Sequence, residues 1–537
     1  MSTFDNEEPK AVGKIAVNRR PKRYIELDRR AILKGLSFLG MSTLLPSEAF
    51  AALPDVVIGA NSSVSRFDPY LTTDIVDQII FFNLFDTPTH ILPDSTLAPG
   101  LALKWEVTNP TTWVLTLRGG VKWHNGDDFS ADDIVFSLGR VMDPATRSLF
   151  IGNFSVIASV KARDPLTVEI VTKEPDPFMP QRLANYGSSV LPKKYLEAVG
   201  EKAFLEKPIG TGPYKFKQFV PGQSAVLEKN EHYWEPVPVN SLTFRKIPEL
   251  SARIAALRTG EVHIINAVSP DGIAQISLAP TKPVTTPAGS AFFLPVNMRT
   301  APLDNRDVRH ALSLAIDRES IIKNLLAGQA KVLNEPILAG SNGADPSRKP
   351  LAYDPDQARS LLKKAGYAKQ EILYETMANA YFGNDREIGE ALVAMWSDVG
   401  FNAKLGVIEP AVRAQKNTAK SFQGLFAGYF ASQYGDAAGL MWRAMSPSGI
   451  LSYYWNVPDA SARAEFNAMG ASAVQNFNEA ERAAIYRKMS DIMLDVMPWI
   501  LLFEPSMIYG VNTKLNLTPG PNFLVDLRKD ALAQVGP

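Results

Sequence analysis

The sequence predicts an α/β protein of at least two lobes, and three observations carry that expectation. The chain has 537 residues, more than one hydrophobic core usually covers. Several short runs in its first half alternate apolar and polar residues with period two, the pattern of strands that bury one face. From about residue 297 helices with clear start and stop signals alternate with short apolar strands, which describes a three-layer α/β lobe.

The composition, 46% hydrophobic and 21% charged, is that of a folded globular protein. Lys plus Arg and Asp plus Glu both number 56, so no global charge argues for nucleic acid or an anionic membrane as partner. The absence of cysteine excludes thiolate catalysis, thiolate metal sites and a lipid anchor on a cysteine.

Residues 1–51 have the layout of an export signal. A basic head with Arg19, Arg20, Lys22, Arg23, Arg29, Arg30 and Lys34 precedes a weakly apolar run from Gly35 to Leu45. That run is too short to span a bilayer as a helix. Ala49-Phe50-Ala51 supplies small residues where a signal peptidase reads, so cleavage is expected after Ala51. Asp28-Arg29-Arg30-Ala31-Ile32-Leu33-Lys34 resembles the twin-arginine motif, with Asp and Ile where Ser or Thr and Phe are commoner. Those departures leave the general secretion route open.

Trp113 to Arg118 and Thr167 to Thr172 alternate as strands. Ser130 caps a helix whose third position is Asp133, followed by Ile134, Val135 and Leu138. Tyr214 to Phe219 is another alternating strand. Ser251 to Leu257 is a short helix stopped by Gly260, and Val262 to Ile265 the strand after it. Asp354-Pro355-Asp356-Gln357 supplies a cap, an N1 proline and a third-position Gln, with Ala358, Leu361, Leu362 and Ala365 as apolar stripe and Gly366 as stop. A helix from Asn384 to Val399 is closed by Gly400. A third starts at Asn478 and Glu481, with a buried face through Ile485, Met489, Ile492 and Val496, and Pro498 stops it. Ala403 to Val407 and residues 424–431 read as strands between these helices, and Trp499 to Glu504 as an apolar strand after them. A chain that leaves one lobe, builds another and returns is joined by two crossing strands, which make a hinge.

No phosphate-cradling Gly-x-x-x-x-Gly-Lys-Ser/Thr, no Gly-x-Ser-x-Gly elbow and no His-Glu-x-x-His helix occurs. His90, His124, His232, His263 and His310 are dispersed, with no pair at ligand spacing. No catalytic residue, metal site or cofactor is expected. The stretch from Gly424 to Asp436 is the better clue. Its aromatic-rich beginning suits a buried strand, and it passes into a polar end that delivers Tyr429, Phe430, Ser432, Gln433, Tyr434 and Asp436, the mixture expected of a small-molecule cleft. Trp442, Tyr453, Tyr454 and Trp455 follow closely. Rings clustered beside Asp436 and Asn456 suggest a surface that encloses a ligand, with Tyr454 and Trp455 as further wall residues.

Taken in order, a set of punctuated motifs resembles the solute-binding proteins of the dipeptide, oligopeptide and nickel class of ABC importers, bacterial extracellular solute-binding protein family 5. The runs include Phe67-Asp68-Pro69, Leu97 to Val107, Thr112 to Gly126, Phe129 to Leu138, Pro208 to Phe216, Asn230 to Trp234, Ala256 to Val262, Val308 to Arg318 and Tyr353 to Leu362. Together they span nearly all of the chain after the export signal. The resemblance implies a two-lobe periplasmic binding protein fold of type II with an extra β-rich subdomain in the first lobe. It divides the chain into lobe 1 at 52–295, lobe 2 at 296–503 and a return to lobe 1 at 504–537. The two crossings fall near Phe293 to Asn297 and near Leu502 to Pro505. The implied role is capture of a small solute between the lobes and delivery to a permease and ATPase complex of the inner membrane, by a periplasmic monomer, with no turnover. Closure requires only contacts that exist in the closed state and not in the open one.

In the peptide-binding relatives, a glycine and an aromatic lead into an acid that holds the peptide's α-ammonium. Aligning Gly428 and Tyr429 on that pattern puts Ser432 where the acid is expected, with Asp436 four residues on. A hydrogen bond to a charged group contributes roughly 1.5 to 3 kcal/mol, and stranding a buried charge costs roughly 3 to 5. An ordinary peptide should therefore bind weakly unless Asp436 substitutes. A modified peptide, an opine-like or a sugar-linked solute fits better. A ligand-presenting sensor, a nickel or metallophore binder and an exported hydrolase are the alternative functions.

Overall fold

The computed structural model describes residues 55–93, 95–378, 384–455, 460–520 and 527–528, with the backbone of a short strand at 532–534. The export segment, its cleavage point and Asn456 lie outside the described residues.

Ten strands are linked in one sheet, in the order Gly428–Ala431, Ser290–Pro295, Trp499–Asn512, Ile264–Ile265, Val56–Ala60, Ser241–Lys246, Ser224–Lys229 and Tyr214–Val220, with Thr281–Pro287 and Ala330–Val332 also paired to the long strand. A four-stranded antiparallel sheet of Ala102–Asn109, Thr112–Leu117, Thr167–Thr172 and Ile157–Asp164 stands apart from it. The helix Ala131–Met142 belongs to this β-rich part and starts on a complete capping box, in which Ser130 N donates to Asp133 Oδ2 at 2.9 Å. In the second half, Glu371–Thr376 lies between Asn402–Val407 and Leu425–Phe426, all parallel. The helices Pro355–Lys364, Asp385–Val399 and Glu479–Val496 end before Gly366, Gly400 and Pro498; Asp354 and Asn478 cap theirs by side-chain bonds, whereas Asn384 stands at the N-cap position without one and turns its amide to the Leu325 carbonyl.

The apolar side chains gather in separate clusters. One runs from Val56 to Ile264 and takes in Tyr509, Val511, Leu515 and Leu517. A second is built from Ala291 to Phe503, joined by Phe178 from the first half. A smaller third lies around Leu257, Ile265 and Ile508. Trp499–Asn512 serves both large clusters, with Leu501 and Phe503 in one and Tyr509 and Val511 in the other. At about 3.3 Å per residue a strand of 14 residues is long enough to reach through both. The other connection is the turn from Thr281–Pro287 into Ser290–Pro295, made at Ala288-Gly289, where Gly289 takes φ of 61°. Ala288 N donates to the Pro505 carbonyl at 2.9 Å, so the two crossings lie side by side.

Three local readings differ from the structure. Residues 424–431 form two strands in two sheets, because Leu425–Phe426 pairs with Tyr374 and Glu375 while Gly428–Ala431 pairs with Ser290–Phe293. Of Val262 to Ile265 only Ile264–Ile265 is strand. The helix Glu479–Val496 is rotated from the expected face: it buries Arg482, Tyr486, Met489, Met493 and Val496, and leaves Ile485 and Ile492 half-buried. The charge on Arg482 hid that face from a hydrophobic pattern.

Candidate ligand-binding site

The candidate site begins where two strands meet. Tyr429, Phe430 and Ala431 pair antiparallel with Phe292, Ala291 and Ser290, just after the first crossing. Ser432 N extends the ladder by donating to the Gly289 carbonyl at 2.9 Å. Close approach of the strands requires glycine at 428, since a Cβ there would stand 2.8 Å from Pro295 Cδ and 3.0 Å from the Phe293 carbonyl oxygen. The polar end of the stretch is thus bonded to the crossing segment itself.

Asp436 organises the turn that follows. Its carboxylate accepts from Ala438 N at 2.9 Å, from Asn342 Nδ2 at 3.0 Å and from Arg482 Nε at 3.2 Å. Both members of the Asp436–Arg482 pair are buried, and each compensates the charge of the other. Asp436 is held as part of the turn's own network.

Tyr434 faces a segment from the first half of the chain. Its ring stacks on Phe178, with centroids 5.3 Å apart and planes at 17°. Its hydroxyl accepts from Arg182 Nη1 at 2.8 Å. Arg182 is braced in turn by Asp176, whose Oδ2 accepts from Nε at 2.8 Å, and by the Asn153 carbonyl at 2.9 Å. Burial pushes the Tyr434 phenol up from its ordinary pKa, against the opposing pull of Arg182, so the hydroxyl stays neutral. Around this bond, the Arg482 guanidinium lies 5.2 Å from the Phe178 centroid. Gln475 Nε2 donates to Glu174 Oε2 at 3.0 Å, and the Trp113 and Phe477 rings are 6.0 Å apart. Residues 174–182 and the strand end therefore form one junction between the two large clusters.

Two buried acceptors here have no donor, Gln181 Oε1 and Gln433 Oε1. They are the chain neighbours of Arg182 and Tyr434, the bonded pair. Phe430 is half-buried, 5.6 Å from the Phe293 ring and 6.0 Å from the Arg443 guanidinium. Arg443 donates from Nη2 to the Ala431 carbonyl at 2.6 Å and from Nε to the Gly439 carbonyl at 3.0 Å. It thus stands directly beside Ser432, which is itself buried. Junctions of aromatic walls with a few convergent polar groups suit a small organic solute.

Tyr454 and Trp455 are placed elsewhere, in the second core. Tyr454 packs against Phe426 with centroids 5.1 Å apart, and Trp455 meets Phe466 edge-on at 4.8 Å. Their proximity in sequence to the cleft stretch does not survive the intervening helix Met441–Met445. Asp176, Phe178, Arg182, Arg443 and Arg482 were missed by sequence reasoning. The proline-punctuated run Glu174-Pro-Asp-Pro-Phe-Met-Pro-Gln-Arg was the available signal for the first three. Among the described residues no group of three or more His, Cys, Asp or Glu could hold a metal ion, and no helix is long and apolar enough to cross a membrane.

A family model, bacterial extracellular solute-binding proteins, family 5 middle, matches residues 96–452. The glutathione-binding protein GsiB of Escherichia coli O157:H7 is 26% identical over 485 residues, covering 88% of this chain and 93% of that protein. The periplasmic binding protein DppA of Helicobacter pylori, solved with the peptide STSA, superposes with a TM-score of 0.74 at 24% identity, over 90% of this chain and 98% of that one. HbpA2 of Haemophilus parasuis superposes with a TM-score of 0.79 at 22% identity, over 90% and 100% respectively.

Proposed function

The chain belongs to the bacterial extracellular solute-binding proteins of family 5, and from that premise we propose that it captures a small peptide-like solute between two lobes for an ABC importer. The solute enters at the junction where Tyr429, Phe430, Ser432, Gln433 and Tyr434 of one lobe meet residues 174–182 of the other. The observation that carries this reading is the Arg182–Tyr434 bond, because it joins the two cores at the end of the strand anchored on the crossing segment. A ligand held there shifts the balance toward the closed form by contacts that the open form lacks. Binding alone accounts for the role, and no turnover is assigned.

The solute class follows from the missing acid. Ser432 offers a hydroxyl where an ammonium would require an anion, and the Asp436 carboxylate already serves Arg482. A peptide whose amine is blocked or substituted, or an opine-like or sugar-linked solute, avoids that deficit. Glutathione, named for the similar GsiB, belongs among the compounds to try. Isothermal titration with unmodified di- and tripeptides, glutathione and N-blocked peptides tests the class. Micromolar binding by N-blocked or N-substituted compounds is expected, and equal or tighter binding by unmodified peptides would overturn it.

We set the first boundary at the Ala288-Gly289 turn rather than at the expected residue 295, because Ala291 to Leu294 pack in the second cluster: lobe 1 takes residues 52–288 and the end of the chain from 504, and lobe 2 takes residues 289–503. The loaded protein acts as a periplasmic monomer that docks on its permease and ATPase complex. Export with cleavage after Ala51 would leave Ala52 as the first residue, and intact mass of the exported protein reads that directly. Export that fails when Arg29 and Arg30 become Lys marks the twin-arginine route.

A further inference from the structure

The buried charges of the junction do not balance. Arg182 is answered by Asp176 and Arg482 by Asp436. Arg443, half-buried in the same region, has no carboxylate partner among the described residues. Its hydrogen bonds among the described residues go from Nε and Nη2 to two backbone carbonyls, those of Gly439 and Ala431.

Arginines without carboxylates are not in themselves a signal, as Arg318 shows. That residue is buried too, but all three of its nitrogens donate, to the carbonyls of Leu501, Ser313 and Ile316 and to Ser313 Oγ. Nor does the cavity of about 630 Å³ on the second half of the chain offer such a charge. Of its cations, Arg306, Arg348 and Lys364 are paired with Asp495, with Glu335 and Asp491, and with Asp307, and Lys349 is exposed to solvent. Arg443 differs from both cases, since it keeps donor capacity and lies beside Ser432 and the Phe430 ring.

We propose that the solute carries a carboxylate and that Arg443 binds it next to Ser432, an inference that rests on the cleft reading above. A guanidinium presents parallel donors that match a carboxylate, and in a partly desolvated site that match is worth more than in water. The orphaned Gln433 Oε1 lies one residue beyond Ser432 and accepts an N–H. The two groups together select a carboxylate with an amide or secondary amine a few bonds away. N-acylated and N-carboxyalkylated amino acids and peptides have that arrangement, and their flat groups suit the Phe430 and Tyr434 rings.

The experiment titrates the mature protein with N-acetyl dipeptides, N-(1-carboxyethyl) amino acids and unmodified dipeptides, each as the free acid and with every carboxyl converted to its amide. Acids should bind about ten- to a hundred-fold tighter than their amides, the effect of one charge-assisted hydrogen-bonded pair. Arg443→Gln should bring acid affinity down to that of the amide, and Arg443→Lys should restore part of the difference. Ser432→Asp leaves Arg443 and its carbonyl contacts in place and supplies the cation with an internal partner, so it should abolish the preference even where Arg443→Gln fails to fold. Equal binding of acids and amides, or a preference that survives both Arg443→Gln and Ser432→Asp, would overturn the role of Arg443 and leave solute capture standing. Failure of every compound to bind would overturn the peptide-like cleft reading, and this inference with it.

Discussion

Arg182 Nη1 donates to the Tyr434 hydroxyl at 2.8 Å across 252 residues of sequence. The bond ties a segment of the first core to a strand end of the second, so it exists only while the two are together. Tyr434→Phe keeps the ring on Phe178 and removes this contact alone. Solute affinity should fall about ten-fold, since a hydrogen bond to a charged group contributes roughly 1.5 to 3 kcal/mol and solvent recovers part of it. Titration calorimetry reads the loss, while the thermal midpoint of the unliganded protein should barely move. Unchanged affinity would remove this bond from the closing mechanism.

Asp436 separates a structural role from a binding one. Asp436→Ala strands the buried Arg482 and removes the acceptor for Ala438 N and Asn342 Nδ2. Breaking one side of a buried pair costs about 3 to 5 kcal/mol. Urea unfolding should show a clear drop in midpoint. A variant that keeps its midpoint and loses only solute affinity would instead make Asp436 a ligand group.

The turn between Ser432 and Asp436 depends on a close approach at Gly439. A Cβ there would lie 2.7 Å from Gln433 N and 2.8 Å from Tyr434 N, both backbone atoms. Gly439→Ala must therefore displace the segment that carries Gln433 and Tyr434. Solute affinity should suffer more than stability, because the displaced atoms line the junction and the second core lies beneath it. Equal affinity for variant and wild type would show that the site does not include this turn.

Local chemistry was legible in the sequence, and long-range pairing was not. Asp354, Ser130 and Asn478 announced their helices because capping acts over three or four residues. The strand character of residues 424–431 was legible too, but not its division between two sheets, which depends on whether Tyr374 or Phe292 is the neighbour. Ring clustering suggested Tyr454 and Trp455 for the cleft wall, whereas the 18 residues from Asp436 to Tyr454 hold a helix and lead both rings into the second core. Arg182 and Asp176 left no periodic trace, since their partner Tyr434 belongs to the other half of the chain. Arg482 lay on a helix face that hydrophobic pattern assigned to solvent, and its burial rests on partners outside that helix, the Asp436 carboxylate, the Asn476 carbonyl and the Phe178 ring.

Glu504 predicts the pH dependence of stability. It lies on the long strand where that strand crosses, opposite Lys331, and its buried carboxylate accepts from the Gly289 amide of the other crossing. Burial pushes its pKa up to about 7 from the ordinary 4.5, and Lys331 and the Gly289 amide only partly oppose this. The folded protein thus holds this proton more tightly than the unfolded chain. Between about pH 4.5 and pH 7 the folded state binds more protons, so its stability falls as pH rises through that window and levels off above it. The fall amounts to at most about 3 kcal/mol. Glu504→Gln keeps an oxygen for the Gly289 amide and removes the titration. Urea unfolding at pH 5, 6, 7 and 8 should give a flatter profile for the variant than for wild type, with the largest gain in stability at pH 8. Parallel profiles would show that the Glu504 carboxylate is solvated at the crossing, and would remove it as a link between the two crossing segments.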